Sequence, residues 1–352
     1  METNKKHIVV AMSGGVDSTV AAALLLAQGH QVSGLTMRVW DTEPLAEGQD
    51  PAHIRDARRV ANDLGIPLHV VDLREEFRQQ VVTPFCAEYF AGRTPNPCVL
   101  CNRVFKFRRL LQEADRLGAD ALATGHYARI VEDGHLRILA KGANQHKDQS
   151  YFLFTLTQQQ LQRVVFPLGD MNKDDVRAHA QRLGLHVAQK GDSQDICFIP
   201  DGDYIGFLER QSDAPCAEGS IVHVSGKVLG KHRGAYRFTI GQRRGLGIAW
   251  PEPLYVIAID AARQQVVVGE LEHLKVDRLV TTGTNWIVPA PQQPLRARCR
   301  IRYRHHEALC TLIVLDDERV EVRFDEPQNG VTPGQAAVFY DGDRVLGGGW
   351  IA

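Results

Sequence analysis

Four stretches of the chain carry side chains whose type and spacing could do chemistry. The first is Ala11-Met12-Ser13-Gly14-Gly15-Val16-Asp17-Ser18. Paired glycines let a chain turn with φ > 0 and let a ligand approach the backbone. A helix that follows such a turn offers backbone N–H groups and partial positive charge, and the Ser13 and Ser18 hydroxyls add donors, so the turn suits phosphate. It is not the P-loop of ordinary NTPases, because no Lys follows the second glycine and the spacing is too short. Nor is it the dinucleotide fingerprint, which needs a third glycine. Asp17, a carboxylate close to any bound triphosphate, suits a magnesium ion. The plainer reading is a tight strand-to-helix turn with no ligand.

The second stretch is Gly92-Arg93-Thr94-Pro95-Asn96-Pro97-Cys98-Val99-Leu100-Cys101-Asn102. Two prolines separated by one residue fix an extended loop. A helix is expected from about Asn102 to Leu117, which puts Cys101 at its N-terminus. There the dipole lowers a thiol's pKa and raises its thiolate fraction. Cys98-x-x-Cys101 also reads as half a zinc site, though without a second such pair, as a redox pair, or as packing. The third stretch ends Asp195-Ile196-Cys197-Phe198-Ile199; Cys197 follows a polar, carboxylate-rich loop and by itself reads as a buried cysteine. In the fourth, Arg296, Arg298, Arg300, Arg302 and Arg304 alternate with apolar residues. On a strand they share one face at a spacing of roughly 6.6–6.8 Å, a ridge able to track phosphates. The alternative is an edge strand protected by charge.

The elements that must position these residues are legible in outline. Ile8-Val9-Val10 is a buried strand, Thr19 to Gln28 a helix stopped by Gly29, and Gln31 to Met37 a second strand. A helix over His53 to Leu64, a strand over Leu68 to Val71 and another over Ala119 to Ala128 continue the alternation. This predicts an α/β fold with a doubly wound, mainly parallel sheet. Ligands of such sheets bind beyond the strands' carboxyl ends, where the first loop, Met37 and Thr124-Gly125-His126 would line one pocket. Arg129 to Lys141 reads as a hairpin and Asn172 to Leu183 as a helix capped by Asn172. From about Ala217 short alternating strands take over, predicting two small β domains. The expected division is 1–210, 211–276 and 277–352.

Composition narrows the class further. The chain has 352 residues, 44% hydrophobic and 24% charged, with a formal net charge of −1. That excludes a generally basic nucleic-acid binder, so any RNA contact must come from a local patch. No apolar run is long enough for a membrane span, and Met1 to Lys6 opens no secretory signal. Seven scattered cysteines favour a reducing cytoplasm.

Ser13-Gly14-Gly15-Val16-Asp17-Ser18 resembles the pyrophosphate loop of the AMP-forming ATP pyrophosphatases. In order along the chain follow Thr94-Pro95-Asn96-Pro97 with Cys101-Asn102, Thr124-Gly125-His126-Tyr127, Lys147-Asp148-Gln149-Ser150-Tyr151, Asp192-Ser193-Gln194-Asp195-Ile196-Cys197 and Thr239-Ile240-Gly241-Gln242-Arg243-Arg244-Gly245-Leu246-Gly247. Together they closely resemble the bacterial tRNA-specific 2-thiouridylase family over nearly the whole chain. The resemblance implies an adenine-nucleotide hydrolase-like domain and a last domain that is a tRNA-binding β-barrel. The substrate implied is the wobble uridine of the tRNAs for Lys, Glu and Gln. ATP, with magnesium, adenylates its C2 oxygen, and sulfur arrives as a persulfide from a relay protein fed by a cysteine desulfurase.

By the same resemblance Cys197 carries the persulfide and Cys101 is the partner nucleophile. Sulfur is released through a Cys101–Cys197 disulfide or a covalent adduct. Ala11, Met12, Ser13, Gly14, Gly15, Val16, Asp17, Ser18, Met37 and Gly125 bind ATP, while Asn96, Pro97 and Cys98 meet the target base. His126, Lys147, Asp148, Gln149, Arg302, Tyr303 and Gln335 contact tRNA, and the enzyme is expected to be a cytoplasmic monomer. Some relatives carry an acidic residue at the position of Cys98, so the third thiol is a departure. Two other readings compete: a ligase of the same fold acting on a small metabolite, which needs no paired thiols or arginine ridge, and an RNA-binding protein whose nucleotide site is structural.

Overall fold

The run Ile8-Val9-Val10 is interior because both of its edges are covered. Strand β1 (His7–Ala11) pairs in parallel with β2 (Gln31–Arg38) on one side. On the other it pairs with β4 (Ala121–Thr124). β3 (Leu68–Asp72) extends the sheet beyond β2. The computed structural model describes residues 5–42, 46, 48–189, 196–211 and 217–352. Within them the hairpin β5 (Ala128–Asp133) and β6 (Leu136–Lys141) turns at Gly134, φ +59°. A two-residue strand, β7 (Val164–Val165), closes the sheet order β3-β2-β1-β4-β7. The order reverses between β1 and β4, so the loop after β1 opens at the switch point of the sheet. The helix Val16–Ala27 packs its small residues Ala21 and Ala22 into a core shared with Val176 and Ala180 of the helix Lys173–Arg182.

Two expectations shift here. The strand expected over Ala119 to Ala128 is paired only over Ala121–Thr124. A Cβ at Gly125 would lie 2.7 Å from the Ser18 nitrogen, so the chain turns away against the β1 loop. The helix expected from Asn102 begins at Pro97, whose fixed φ suits a first helical position. It widens to π geometry over Asn102–Arg109 and returns to α over Leu110–Arg116.

The chain gathers into two compact units. The first holds the parallel sheet and spans 1–81, 98–201 and 343–346; the second spans 82–97, 202–342 and 347–352. In the second, β8 (Gly219–His223), β9 (Val228–His232), β10 (Tyr255–Asp260) and β11 (Gln265–Gly269) form a small sheet. Ile221, Val256, Val266 and Val268 build its core. Six further strands are β12 (Lys275–Trp286), β13 (Leu295–Arg300), β14 (Ala308–Val314), β15 (Val320–Asn329), β16 (Ala336–Asp341) and β17 (Arg344–Ile351). They run in the order β12-β15-β14-β13-β16-β17, and pairing of β12 with β17 closes them into an antiparallel barrel. Its interior alternates as a barrel requires: Ala297 and Cys299 point in between the exposed Arg296 and Arg298.

Candidate active site: an anion cradle and a thiol cluster

The two glycines of the β1 loop do different jobs. Gly14 has φ +69°, and a Cβ there would stand 2.4 Å from the carbonyl oxygen of His53, on the neighbouring helix Ala52–Leu64. Gly15 is extended (φ −106°, ψ 168°) and caps the helix Val16–Ala27. A Cβ there would meet only the Ser13 hydroxyl, at 3.3 Å. Of the paired glycines, Gly14 supplies the turn with positive φ and Gly15 the extended cap. A glycine cap has no side chain to occupy the helix's first N–H groups, which leaves them for an anion. The loop is held ready: the Ser13 N–H donates to Ser18 Oγ at 3.2 Å and the Thr19 hydroxyl to the Gly15 carbonyl at 2.8 Å. Ala11, Met12 and Val16 are scaffold. Ala11 pairs with Leu35 and Thr124, the Met12 N–H donates to Leu35 at 2.8 Å, and Val16 is in the core. Met37 lies half-buried near the end of β2.

Asp17 is already engaged. Its Oδ1 accepts from the Tyr127 hydroxyl at 2.7 Å, and Lys173 Nζ donates to both oxygens at 2.8 and 2.9 Å. Lys173 is buried and opens the helix Lys173–Arg182, 156 positions from Asp17. The positive charge that the loop itself lacks thus comes from a distant segment. Both oxygens of Asp17, the carboxylate expected to face magnesium, thus accept hydrogen bonds in this arrangement.

The thiols assemble nearby in sequence terms but by long-range packing. Cys98 occupies the first turn of the helix and Cys101 is the last residue of its first α segment. Cys101 is therefore not at the N-terminus, and the expected activation fails: burial pushes its thiol up to about 12. Burial likewise raises Cys197, to about 11, and Cys98. Desolvation of a thiolate is the largest cause at all three, ahead of the opposing Lys106 charge. Cys98 and Cys197 are nevertheless exposed at the surface, so the expectation that Cys197 is a buried cysteine is not met; Cys101 is half-buried, and all three are free thiols. Cys101 is further raised by the nearness of Cys197 and Cys98, and Cys197 by Cys98.

Aromatic packing explains the convergence. The buried Phe198, next to Cys197, lies 5.7 Å from the Phe77 ring and 6.2 Å from Trp40. Phe77 in turn lies 5.3 Å from Phe105, on the helix of Cys101. Asp192 to Asp195 of the preceding motif, and residues 43–45 and 47, lie outside the described residues.

Lys106 was not singled out in the sequence, yet it is common to both halves of the site. Its ammonium lowers the pKa of Cys98, Cys101 and Cys197 alike, and its Nζ lies 3.3 Å from His126 Nε2. Burial, then Lys106, hold His126 well below the ordinary imidazole value, so the ring is neutral. An ammonium only donates, so Nε2 accepts and Nδ1–H donates to Thr124 Oγ1 at 2.6 Å. Asn102 is buried beside Cys101 in the chain, its Nδ2 donating to the Phe152 carbonyl at 3.0 Å.

The residues expected to touch RNA divide into shapers and exposed groups. Asp148 is buried and accepts from the N–H groups of Gly142 and Ser150. Gln149 exchanges two hydrogen bonds with the Tyr127 backbone, bracing the tyrosine that holds Asp17. Lys147 is half-buried. In the second unit Gln335 Nε2 donates to the carbonyls of Thr94 (2.9 Å) and Pro95 (3.2 Å), strapping the loop that carries Asn96 and Pro97. The five-arginine ridge is not continuous. β13 ends at Arg300, while Arg302 and Arg304 lie in the following turn. Nor is β13 an edge strand, since it pairs with both β14 and β16. Arg296 is paired with Asp325 at 2.6 Å, and Arg300 donates to the Tyr303 carbonyl. Arg298, Arg302, Arg304, His305 and His306 line a cleft of about 550 Å³ with Asp325 and Glu326 on its wall.

A parallel α/β domain with a phosphate-type turn at its switch point, followed by two β domains, defines a class of nucleotide-binding enzymes with an appended barrel. Family profiles agree, matching a tRNA methyl transferase HUP domain over residues 6–201, a tRNA methyl transferase PRC-barrel domain over 206–270 and an aminomethyltransferase β-barrel domain over 276–351. A protein of Syntrophotalea carbinolica named tRNA-specific 2-thiouridylase MnmA is 84% identical over the whole of both chains. One of the same name from Geobacter metallireducens is 56% identical over 99% of this chain and 98% of that one. The chain belongs to this family, the MnmA family. Among solved structures, a 4-thiouridine synthetase in complex with RNA and bound ATP is 20% identical, with a TM-score of 0.39, over 58% of this chain and 50% of that chain.

Proposed function

We propose that this chain is a tRNA uridine 2-sulfurtransferase that adenylates the wobble uridine of the tRNAs for Lys, Glu and Gln and replaces its C2 oxygen with sulfur. The observation that carries the reading is the meeting of Cys101 and Cys197, 96 positions apart in the chain, in the same unit as the anion cradle. Membership of a family whose relatives are named 2-thiouridylases supports it. A metabolite ligase would have no use for the paired thiols. Residues 1–210 act as the catalytic domain, 211–276 as a central β domain and 277–352 as the barrel that grips RNA.

The chemistry follows from the poor leaving ability of a carbonyl oxygen. O2 of the uracil attacks the α-phosphorus of ATP as N3 gives up its proton, and pyrophosphate leaves into the cradle formed by Gly15, Ser13, Ser18 and the helix N-terminus. Lys173, released from Asp17 as phosphate arrives, supplies the cation there. A sulfur donor of the persulfide class charges Cys197. The terminal sulfur attacks C2, and AMP departs with the C2–O electron pair. The Cys101 sulfur then attacks Sγ of Cys197. The bond between Sγ and the transferred sulfur breaks, its pair stays on that sulfur at C2, and N3 is reprotonated. A Cys101–Cys197 disulfide remains and is reduced by an external thiol. The same attack on the free persulfide releases sulfide, which then adds to C2. Asn96, Pro97 and Cys98 receive the base once it is splayed from the anticodon loop.

The test is direct. The protein, with ATP, magnesium, a sulfide source and unmodified tRNA, is expected to form 2-thiouridine at the wobble position, one AMP per sulfur inserted. Release of pyrophosphate at full rate without tRNA, with no thiolated nucleoside by mass spectrometry, would overturn the reading.

A further inference from the structure

Transfer of sulfur between thiols needs something to stabilise negative sulfur as it forms, and one residue is placed to do so. Resting on the sulfurtransferase reading, we propose that Lys106 is the positioning residue that lowers the cost of negative charge on sulfur at the cluster, serving both the attacking Cys101 sulfur and the terminal sulfur on Cys197. Its placement follows from the backbone. In an α-helix, residues five apart point to different faces. Lys106 lies in the π segment Asn102–Arg109, whose i→i+5 repeat turns the fifth residue after Cys101 back towards the face of Cys101. Its ammonium is near enough to all three thiols to act on them.

The surroundings keep its charge available. Among the described residues the hydrogen-bond partner of Lys106 is the neutral His126, and His126 is itself fixed by Thr124. Among the described residues the titratable groups that act on one another at the cluster are Cys98, Cys101, Cys197, His126 and Lys106 itself. A cation beside a poorly solvated anion acts more strongly than one in water. The same contact ties the thiol helix to the loop at the end of β4, whose Gly125 presses on Asp17 and Ser18.

Alkylation tests this without tRNA or a sulfur donor, so its failure is separate from failure of the sulfurtransferase reading. In a protein in which Cys98, Cys197 and Cys216 are changed to Ser and the other remaining thiols, Cys86, Cys299 and Cys310, are buried, the rate of alkylation of Cys101 by iodoacetamide is followed against pH. Lys106→Met is expected to raise the midpoint by about one pH unit, roughly a tenfold slower rate at fixed pH. Lys106→Arg should restore most of the rate, because it returns the charge. In the otherwise native protein, Lys106→Met should lower single-turnover thiolation while leaving ATP binding within about twofold. Should the Met variant not fold, Lys106→Gln gives the same comparison. An unmoved midpoint in a folded variant, or an Arg variant as slow as Met, would overturn the assignment.

Discussion

The anion cradle and the thiol cluster sit in the same unit but are specified in opposite ways. The cradle is written almost entirely in eight consecutive residues, because a strand, a tight turn and a helix cap are local geometry. The cluster is written nowhere contiguously. It depends on Phe198 finding Phe77, on Phe77 finding Phe105, and on a helix that widens after Cys101. Local motifs are tuned by dihedrals, whereas clusters are tuned by burial, and burial here reverses the electrostatics expected of Cys101.

The comparison is tested hardest at the thiols. Cys101→Ser and Cys197→Ser should each reduce 2-thiouridine to background by nucleoside mass spectrometry while tRNA binding persists. Cys98→Ser separates the roles: thiolation that survives in it leaves Cys101 as the resolving thiol. Loss equal to that of Cys101→Ser would make all three thiols essential.

In the cradle the two glycines should part company. Gly14→Ala forces a left-handed residue and a backbone clash at 2.4 Å, so a loss of about 3 kcal/mol or more is expected in chemical denaturation. Gly15→Ala is sterically permitted and should leave the melting temperature nearly unchanged, while weakening ATP binding measured by calorimetry because the methyl group covers the helix N-terminus. If both behave alike, the division of labour drawn between them is wrong.

Lys173 is next in size. Removing it leaves Asp17, about a third exposed, with the Tyr127 hydroxyl as its side-chain partner among the described residues. Lys173→Met should cost about 1–3 kcal/mol, less than a fully buried pair because solvent reaches the carboxylate. The double variant Asp17→Asn, Lys173→Met should recover part of that loss, and a thermal-denaturation cycle showing simple additivity would dismiss the coupling.

These effects mark how far the sequence could be read. β1, the loop, the hairpin at Gly134 and the shift to β structure near Ala217 follow from periodicity and turn residues, and the structure has them. Lys173 escaped notice because nothing in a helix's first residue announces a carboxylate 156 positions away. Lys106 escaped because α-periodicity puts it on a different face from Cys101. The arginine ridge was over-read: strict alternation predicts one face only while the strand lasts, and β13 stops at Arg300.

The pH response gives a smaller effect with a definite sign. The folded Cys101 thiol is raised to about 12, so the unfolded chain loses this proton first as pH rises. The associated stability is present below the unfolded thiol value of roughly 8.5 and is lost as pH climbs from there towards 12. His126 acts at the other end: its depressed value means the unfolded state takes up a proton first, so stability falls as pH drops below roughly 6.5. Melting temperature against pH should decline on both sides; Cys101→Ser should make the alkaline limb shallower, with Cys98 and Cys197 keeping part of it, and leave the acid limb unchanged.

The smallest effects belong to the barrel, where each phosphate contact is one among several. Arg302, in the turn after β13, and Arg298, on its exposed face, line the open cleft, whereas Arg296 is neutralised by Asp325. Each of Arg298→Ala and Arg302→Ala should lower the slope of log affinity for tRNA against log salt by at most about 0.7–0.9, the share of one phosphate. Arg296→Ala should change the slope less, since its charge is already compensated. Equal losses from all three would mean that RNA displaces Asp325 and that the cleft wall opens on binding. No loss from Arg302 would move the RNA track off the cleft altogether.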